Sequence, residues 1–385
     1  MARAVPYAWL QLSHEKLRLV AAVGGITFAV VLVFMQLGLR AALFDSSVRL
    51  HGGMDYDLVM LSPRTTFLAQ TKSFPRNRLY QVAGLDSVAS VSPLYVFLAR
   101  YYYQGTPDTH RKVLAIGIDP ADDNIRLRGV QEHLSALRVP DTVIMDRYSR
   151  TEFAPAIADV ARNEAVKLQV NERTVSLIGL FELGTSFGID GSLITTDLNF
   201  QRMFPDRGPG QIDLGLIRLA KGADPTAVKD TIAAFLPDDV LVLTQAEYVA
   251  REVAYWNGST PIGYVFTLGA VIGVLVGLII VYQILFADVQ NHLAEYATLK
   301  AMGYTNGFLN GLVFREAFIL SVLGYIPAVG LTVLLYSQAE QATQLPLAMT
   351  LERAGVVFVA TVAMCCASGL LAIRRLGKVD PAEVF

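Results

Sequence analysis

Four long stretches without a charged side chain constrain this chain more than any other feature of its sequence. They cover residues 19–39, 261–287, 317–339 and 354–373 and are 21, 27, 23 and 20 residues long. A hydrocarbon layer of about 30 Å needs about 20 helical residues, because an α-helix rises ~1.5 Å per residue. Buried core helices are the alternative, yet four of this length are hard to place in a soluble protein. The sequence therefore predicts four transmembrane helices.

The charged residues are concentrated between the first two apolar stretches. Residues 41–260 hold 48 of the 66 charged residues in the chain. Overall, 53% of residues are apolar and 17% are charged, a balance that disfavours a disordered chain and an ordinary soluble enzyme. The net charge of -2 gives no general attraction to nucleic acid. One water-facing domain is therefore expected between the first and second membrane helices.

Basic residues on the flanks of the apolar stretches set the predicted orientation. They are most frequent before the first helix, between the second and third, and after the fourth, so the positive-inside rule places these segments in the cytoplasm. The first stretch is too long for the core of a cleaved signal peptide and is expected to stay as an anchor. The predicted order is: 1–18 cytoplasmic interfacial helix, 19–40 TM1, 41–260 periplasmic domain, 261–287 TM2, 288–307 cytoplasmic coupling loop or helix, 308–339 TM3, 340–353 short periplasmic loop, 354–373 TM4 and 374–385 cytoplasmic tail.

The water-facing domain has a mixed α and β pattern. Strand-type runs are found at residues 113–118, 166–170, 175–180, 212–219 and 240–243. One helix is predicted from Asp224 as N-cap and Pro225 at the first helical position, ending before Pro237. A second, about residues 245–256, leads to the next membrane helix. The predicted fold class is a membrane protein with four transmembrane α-helices and a large α+β extracytoplasmic domain between helices 1 and 2.

The sequence contains little that indicates catalysis. The five histidines are scattered, and the two cysteines, Cys365 and Cys366, are adjacent within an apolar stretch, so we expect no metal site and no bound cofactor. Residues 184–188 match the GxSxG pattern of hydrolases around Ser186. The one later histidine, His292, is predicted on the opposite side of the membrane. A glycine-rich turn after the 175–180 strand is the favoured interpretation, and the chain is not expected to be an enzyme.

Small residues recur at every fourth position in the first two membrane helices. Such stripes let helix backbones approach closely where lipid provides no hydrophobic driving force. General enrichment of glycine in membrane helices is the alternative. The regular spacing favours close packing of these helices, within one protomer or across a dimer. The residues are Ala21, Gly25 and Ala29 in the first helix and Gly269, Gly273 and Gly277 in the second.

The segment between the second and third helices carries a helical pattern. Val289, Leu293, Tyr296 and Leu299 recur at helical spacing, and Gly303 could end that helix in the left-handed conformation. The run HLAEYATLKAMGY at 292–304 resembles the coupling region of FtsX-like, MacB-type permeases of ATP-binding-cassette systems. The FRE of 314–316 and the tail RRLGKVDPAE of 374–383 also fit that class. The resemblance covers nearly the whole chain, in the type VII arrangement, and residues 182–204 are most similar to the DevC subgroup.

This resemblance implies a half-transporter of the bacterial inner membrane. Such a permease forms a homodimer, sits among membrane lipids and binds two copies of a separate cytoplasmic ATPase, which holds ATP and Mg. Mechanotransmission then carries motion from the ATPase through the helices to the periplasmic domain. That domain works with a periplasmic adaptor (membrane fusion protein) and a TolC-like outer-membrane channel in tripartite efflux. For the DevC subgroup, the implied cargo is a glycolipid or another lipophilic substrate.

Coupling to the ATPase is assigned through the resemblance to a short set of residues. These are Glu295, Tyr296, Leu299, Lys300 and Gly303. Glu316 is expected to brace the loop against the third helix, while His292 departs from the basic residue of many relatives. Two other classes stay open: an FtsX-like regulatory scaffold without cargo, whose domain would be smaller, and a membrane-embedded enzyme, which would need a polar cluster near one interface.

Overall fold

The computed structural model describes residues 16–103, 111–291, 298, 302 and 305–376. The chain forms two compact units. The helical unit contains Met1–Ala41, Ile262–Ala339 and Leu347–Phe385, and the α+β unit contains Ala42–Pro261 and Glu340–Pro346.

The described residues form α-helices in both units. In chain order they are α1 (Lys16–Gly52), α2 (Asn77–Val82), α3 (Val130–His133), α4 (Ala154–Ala161), α5 (Asp197–Met203), α6 (Pro225–Phe235), α7 (Gln245–Ala254), α8 (Pro261–Asn291), α9 (Asn306–Thr343) and α10 (Leu351–Leu376). A π-helical turn, Tyr255–Ser259, separates α7 from α8.

Helices α1, α8, α9 and α10 are each long and apolar enough to cross a membrane. This confirms the four predicted spans and the α+β domain between the first two. The helices also continue past the apolar stretches. With 37 residues, α1 is about 55 Å long at ~1.5 Å per residue, well beyond the ~30 Å of a hydrocarbon layer. Its residues from Ala42 onward belong to the α+β unit.

The strands of the α+β unit form one large sheet and a small one. In chain order they are β1 (Leu58–Leu61), β2 (Phe74–Pro75), β3 (Val88–Tyr102), β4 (Arg111–Ile118), β5 (Thr142–Asp146), β6 (Val166–Val170), β7 (Arg173–Phe181), β8 (Gly191–Thr196), β9 (Gln211–Ile212), β10 (Leu214–Leu219) and β11 (Leu241–Thr244).

The large sheet has the order β11-β1-β10-β3-β4-β8-β5-β7-β6, and β6 also pairs with β3. The long strand β3 makes this closure, because its first half pairs with β10 and its end pairs with both β4 and β6. Six strands therefore form a ring, from which β10, β1 and β11 extend. The pairs β4–β8 and β5–β7 are parallel, and the other neighbours are antiparallel.

Both faces of the sheet are covered, as strand β1 shows. Leu58 and Met60 belong to one apolar core, and Val59 and Leu61 belong to the core on the other face. Alternation with a period of two places successive side chains on opposite faces, so a strand apolar at every position must be buried on both. Leu50, in the last turns of α1, packs into the second core. The end of α1 is therefore part of the folded α+β unit.

Most predicted elements of this unit are present, with two corrections. The predicted helix after Asp224 is α6, and the Asp224 side chain accepts a hydrogen bond from Thr226 N at 3.1 Å. The predicted strand 212–219 was wrong as one element. It breaks at the buried Asp213, whose carboxylate accepts a bond from Val96 N at 2.8 Å. The predicted helix 245–256 also ends earlier, at Ala254, where the π-helical turn begins.

Candidate functional site

A single turn of the α+β unit lies where three connecting segments of the chain meet. We call residues 183–189 the junction turn; it follows β7 and contains the GxSxG pattern. The three segments are residues 42–52 at the end of α1, residues 254–261 leading into α8, and Glu340–Pro346, which is the last turn of α9 and the residues after it. All four belong to the α+β unit. Each is held by specific contacts.

The fully buried carboxylate of Asp146 holds the junction turn in place through hydrogen bonds to its backbone. Its Oδ1 accepts a bond from Leu183 N at 2.9 Å, and its Oδ2 accepts one from Gly184 N at 2.8 Å. A third bond comes from Tyr148 N at 3.1 Å. Burial raises the pKa of Asp146, while the backbone donors and the nearby Arg49 oppose this rise. The carboxylate thus works as a structural anchor for the turn.

The end of α1 reaches the junction turn through Arg49. Its Nη1 donates to Leu183 O at 3.0 Å. Gly184 has a φ of +100°, and a Cβ at this position would overlap the Arg49 guanidinium. The position therefore needs glycine for two reasons, the left-handed backbone and the close approach of the arginine.

A second group of contacts holds the last turn of α1. His51 Nδ1 and Tyr56 Oη lie 3.0 Å apart, and the His51 ring meets the Tyr248 ring edge-on at 4.6 Å. Gln245 Nε2 donates to His51 O at 3.3 Å. His51 and Tyr248 are both about 1% exposed. Since Gln245 and Tyr248 belong to α7, these contacts join the end of α1 to the helix that leads toward α8.

The segment between α9 and α10 is bonded to the junction turn through Thr185. Its Oγ1 donates to Gln344 O at 3.0 Å. Gln344 follows the last residue of α9 and has a φ of +57°, with its N–H donating to Glu340 O at 2.8 Å. This is the left-handed termination that usually favours glycine. The sequence carries a glutamine there, so the ending was not predicted.

The third segment meets the junction turn at Gly188. A Cβ there would lie 3.2 Å from Trp256 Cη2, so the indole lies against the turn. Trp256 Nε1 donates to Glu252 Oε1 at 3.1 Å, and Leu68 N donates to Glu252 Oε2 at 3.0 Å. Phe67 stacks on Tyr255, with ring centroids 4.6 Å apart. Segment 254–261 is thus held by aromatic packing and a buried carboxyl group.

A cavity of about 30 Å³ lies between these groups, lined by side chains from α1, the junction turn and α7. Ser186 is among the lining residues, together with Ser46, Arg49, Glu252 and Trp256. No histidine belongs to this lining within the part of the chain that the structure describes. The turn that the sequence favoured over a hydrolase site is confirmed by its position after β7 and by the left-handed Gly184.

The small-residue stripes meet inside the helical unit. A Cβ on Gly277 would lie 2.8 Å from Ala29 Cβ, and one on Gly273 would lie 3.1 Å from Val33 Cγ2. The backbones of α1 and α8 therefore approach closely along this line. Ser368 Oγ also donates to Leu278 O at 2.9 Å, which joins α10 to α8.

Of the remaining stripe residues, two lie against a neighbouring helix and one is exposed. A Cβ on Gly25 would lie 2.5 Å from Ile280 Cγ2, and one on Gly269 would lie 2.5 Å from the Gln36 side-chain carbon Cδ. Ala21 is exposed in this single chain. The contacts of the stripes observed here lie within one protomer, and a role in a dimer stays a prediction.

The predicted coupling residues lie outside the described residues. They are Glu295, Tyr296, Leu299, Lys300 and Gly303, and the interfacial helix before residue 16 and the tail after residue 376 lie outside as well. Glu316, the predicted brace, is described and is fully buried in α9. A buried acid in an apolar helix is costly and usually functional.

Sequence reasoning missed the junction itself. Asp146 ends a buried strand, which is a weak signal for a polar anchor, and Gly184 was recognised only as part of a turn. The contact of Thr185 with Gln344 joins residues 159 positions apart and has no local signal. Glu252 lies in a helix whose residue spacing gives no sign of a buried carboxyl group, so its contacts were not predicted.

Comparisons with known proteins agree with this architecture. The family model "FtsX-like permease C-terminal" matches residues 267–381. Three uncharacterized ABC transporter permeases, from Mycobacterium bovis and two strains of Mycobacterium tuberculosis, are each 26% identical over 386 residues, with 96% of both chains covered.

Two solved structures are similar to about half of this chain. One is the periplasmic region of MacB from Actinobacillus actinomycetemcomitans, with 12% identity and a TM-score of 0.37 over 51% of this chain and 92% of that one. The other is the extracellular domain of the noncanonic ABC-type transporter YknZ from Gram-positive bacteria, with 12% identity and a TM-score of 0.33 over 49% of this chain and 98% of that one. The chain is thus similar over 96% of its length to ABC transporter permeases, and its residues 267–381 match the carboxyl-terminal domain of FtsX-like permeases.

Proposed function

We propose that this chain is the membrane subunit of an ATP-driven exporter, and that it transmits motion from a separate cytoplasmic ATPase to its α+β unit. In this proposal the α+β unit lies outside the inner membrane and both termini are cytoplasmic. Two copies of the chain and two of the ATPase form the working assembly. The chain itself holds no nucleotide.

The convergence at the junction turn carries this proposal. Arg49, Thr185 with Gln344, and Gly188 with Trp256 join one turn to the segments that continue into α1, α9 and α8. A turn that is hydrogen-bonded to two of these segments and packed against the third should respond when any one of them is displaced. Its anchor on Asp146 then passes the displacement to β5 and β7, because the carboxylate belongs to the end of β5.

The coupling residues provide the first test of this function. Gly303 is proposed to end the cytoplasmic helix that docks on the ATPase, in a conformation a β-branched residue cannot adopt without strain. Gly303→Val should abolish the stimulation of ATP hydrolysis by the permease at normal membrane levels. Gly311→Val is a matched control, because Gly311 has open space around it in α9. Normal stimulation in Gly303→Val would reject the assignment.

The orientation is testable by labelling. With Cys365 and Cys366 replaced by alanine, a single cysteine at Glu295 should react only after the cytoplasmic side is opened. A cysteine at Lys221, in an exposed turn of the α+β unit, should react with a membrane-impermeant thiol reagent in intact cells. Equal labelling of both positions in intact cells would contradict the proposed topology.

The proposal also covers the cargo of the exporter and its partners outside the inner membrane. The spans lack charged residues at their centres, which suits a permease that works on cargo outside the bilayer core. A periplasmic adaptor, a TolC-like channel and a glycolipid or other lipophilic cargo, as in the DevC subgroup, are proposed on the resemblance. Deleting the gene should cause such a lipid to accumulate in cells. A deletion that alters cell-wall hydrolysis without lipid accumulation would favour the FtsX-like scaffold.

A further inference from the structure

Helix α9 contains a proline within its apolar stretch. Pro327 has no N–H, so the carbonyl group of Leu323 lacks the donor that a regular α-helix provides one turn later. Proline is also a frequent cause of bending in long helices. This position divides the 38 residues of α9 into two parts. A displacement applied to one end of α9 is therefore lost in part if the helix bends at Pro327.

Helix α1 lies beside α9 and is one continuous α-helix without a proline. Two hydrogen bonds join the two helices, from Thr27 to the carbonyl group of Gly324 and from Tyr336 to the carbonyl group of Phe34. The contacts follow the same order along both helices, so α1 and α9 run parallel. One contact precedes Pro327 in α9 and the other follows it. Helix α1 thus holds both parts of the interrupted helix.

The contact before the proline brings the two backbones close together. Thr27 Oγ1 donates to Gly324 O at 3.0 Å. A Cβ on Gly324 would overlap the side chain of Ile26, which is fully buried. Threonine side chains of neighbouring segments commonly bind the backbone near a proline in membrane helices. Gly324 therefore gives α1 the space for this approach.

The contact after the proline is made by Tyr336, which is 2% exposed. Its hydroxyl group donates to Phe34 O. A Cβ on Gly38 would overlap the phenol ring, so the ring lies directly on the α1 backbone. The guanidinium carbon of Arg353 lies 5.8 Å from the centroid of the same ring. Tyr336 is therefore held on α1 by a hydrogen bond and by close packing at a glycine.

The other neighbours of α9 hold it differently within the part of the chain that the structure describes. Helix α10 is joined to α9 by one hydrogen bond, from Tyr325 Oη to Ala354 O at 2.7 Å, and Tyr325 precedes the proline. The described residues of α8 make no hydrogen bond to α9; the hydroxyl group of Ser368 joins α8 to α10 instead. Among these helices, α1 is the one that is hydrogen-bonded to α9 on both sides of Pro327.

We propose that α1 splints α9, meaning that it keeps the two parts of α9 in line across Pro327. Thr27 and Tyr336 are the positioning residues of this splint, and Gly324 and Gly38 provide the space for them. The use of the splint in transmission rests on the proposed function, in which α9 follows the segment that docks on the ATPase. The splint itself is a property of this chain.

The straightness of α9 can be measured in the purified full-length chain. In the Cys365→Ala, Cys366→Ala background, spin labels are placed at Phe318→Cys and Leu334→Cys, two exposed positions on either side of the proline. Their backbones lie about 24 Å apart along a straight helix, at ~1.5 Å per residue. Dilution with unlabelled chain keeps one labelled copy in each assembly. Pulsed electron paramagnetic resonance should give one narrow distance distribution.

Removal of the splint should let α9 bend. With Thr27→Val and Tyr336→Leu, the distribution should become at least about twice as broad, because bending at the proline is no longer opposed. Pro327→Ala in the same chain restores the N–H for Leu323 O, and Pro327 is exposed, so no buried contact is lost. The distribution should then become narrow again. An unchanged width without the splint, or a broad distribution that persists with Pro327→Ala, would overturn the proposal.

A milder variant covers the case in which the splint variant does not reach the membrane. Tyr336→Phe removes only the hydroxyl group that bonds to Phe34 O. It should broaden the distribution by a smaller amount, and Pro327→Ala should reverse this change too. Ser337→Ala is the matched control, because Ser337 is exposed and bonds only to Leu334 O at 2.8 Å within α9. A Tyr336→Phe distribution as narrow as that of Ser337→Ala would contradict the role of Tyr336.

The same variants separate the splint from the proposed function. In the complex with the ATPase, Tyr336→Leu should lower the stimulation of ATP hydrolysis by about fivefold or more, the usual size of coupling between distant sites. Adding Pro327→Ala should restore most of the stimulation, which a purely local packing defect at Tyr336 would not allow. The distance measurement needs neither ATPase nor cargo. If the distributions change as expected and the stimulation does not, the splint stands and transmission through α9 fails.

Discussion

The α+β unit is connected to the first and second membrane helices in two different ways. Helix α1 continues without a break from its apolar stretch to Gly52. Its last turns are held by Arg49 and by the group of His51, Tyr56 and Tyr248. Before α8, in contrast, α7 stops, a π-helical turn follows, and Thr260 is extended.

This difference indicates two mechanical roles. A continuous helix resists bending, because its hydrogen bonds would have to break, so α1 can carry a displacement into the α+β unit as a rod. The connection to α8 has no continuous set of helical bonds, and it is held by side-chain contacts of Trp256 and Phe67. Motion can therefore be taken up there. The following predictions test this comparison.

The largest effect is expected from breaking the rod. Ala41→Pro removes a helical hydrogen bond and clashes with the preceding turn, at a cost of about 3 kcal/mol or more. We expect the stimulation of ATP hydrolysis to be lost although the protein reaches the membrane. Gly24→Ala in the same helix is the control, since that position is open. Full stimulation of ATP hydrolysis by the Ala41→Pro variant would show that α1 does not transmit motion as a rigid helix.

A smaller effect is expected from removing the His51 imidazole ring, which holds the end of α1. His51→Ala deletes a buried side chain and should lower the free energy of unfolding by about 2–3 kcal/mol, measured by chemical denaturation in detergent. The control is Tyr248→Phe, because the Tyr248 hydroxyl has no hydrogen-bond partner among the described residues. Removing it should be neutral or stabilising by up to about 1 kcal/mol. A strongly destabilised phenylalanine variant would contradict this reading of the site.

The junction turn can be tested by comparing two glycines with positive φ. Gly222→Ala, in open space at φ +87°, measures the cost of the backbone alone, about 1–2 kcal/mol. Gly184→Ala adds the overlap with Arg49 and should cost about 1 kcal/mol more, again in the free energy of unfolding. It should also reduce ATPase stimulation, whereas Gly222→Ala should not. Equal effects of both substitutions on stimulation would leave the turn without a role in transmission.

The smallest effect is expected at the contact between Thr185 and Gln344. Thr185→Val keeps the shape of the side chain and removes one hydrogen bond, for a loss of about 1 kcal/mol in unfolding free energy. Thr231→Val is the comparison, since Thr231 Oγ1 bonds only within its own exposed helix, and it should change stability by less than about 0.5 kcal/mol. If the Thr185 variant is as stable as the Thr231 variant, the hydrogen bond between Thr185 and Gln344 does not stabilise the protein.

The sequence predicted the parts of the fold that depend on local pattern. The four spans follow from long runs without charge, and α6 follows from Asp224 and Pro225, because these signals lie within a few residues of the element they mark. The break at Asp213 was not predicted. Most residues from 212 to 219 are apolar, which favours one continuous strand, and one donor to the Asp213 carboxylate, Val96 N, is 117 positions away in sequence.

The junction could not be derived from the sequence for a similar reason. Its bonds join Arg49 to Leu183, Thr185 to Gln344, and Glu252 to Leu68, each between residues more than 130 positions apart. Such pairs are fixed by the topology of the sheet and not by spacing along the chain. The coupling run at 292–304 shows the opposite case, because its evidence is a resemblance in sequence and its residues stay a prediction.

Motion of the π-helical turn Tyr255–Ser259 during the ATPase cycle is the most direct test of the central claim. In the Cys365→Ala, Cys366→Ala background, a spin label is placed at Gly258→Cys in this π-helical turn or at Gly222→Cys in another turn of the α+β unit; both glycines have open space around them. We predict that the mobility of the label at 258 changes between the nucleotide-free and vanadate-trapped complexes, while the label at 222 does not respond. Unchanged mobility at 258, in a complex that hydrolyses ATP at the normal rate, would contradict transmission through this connection.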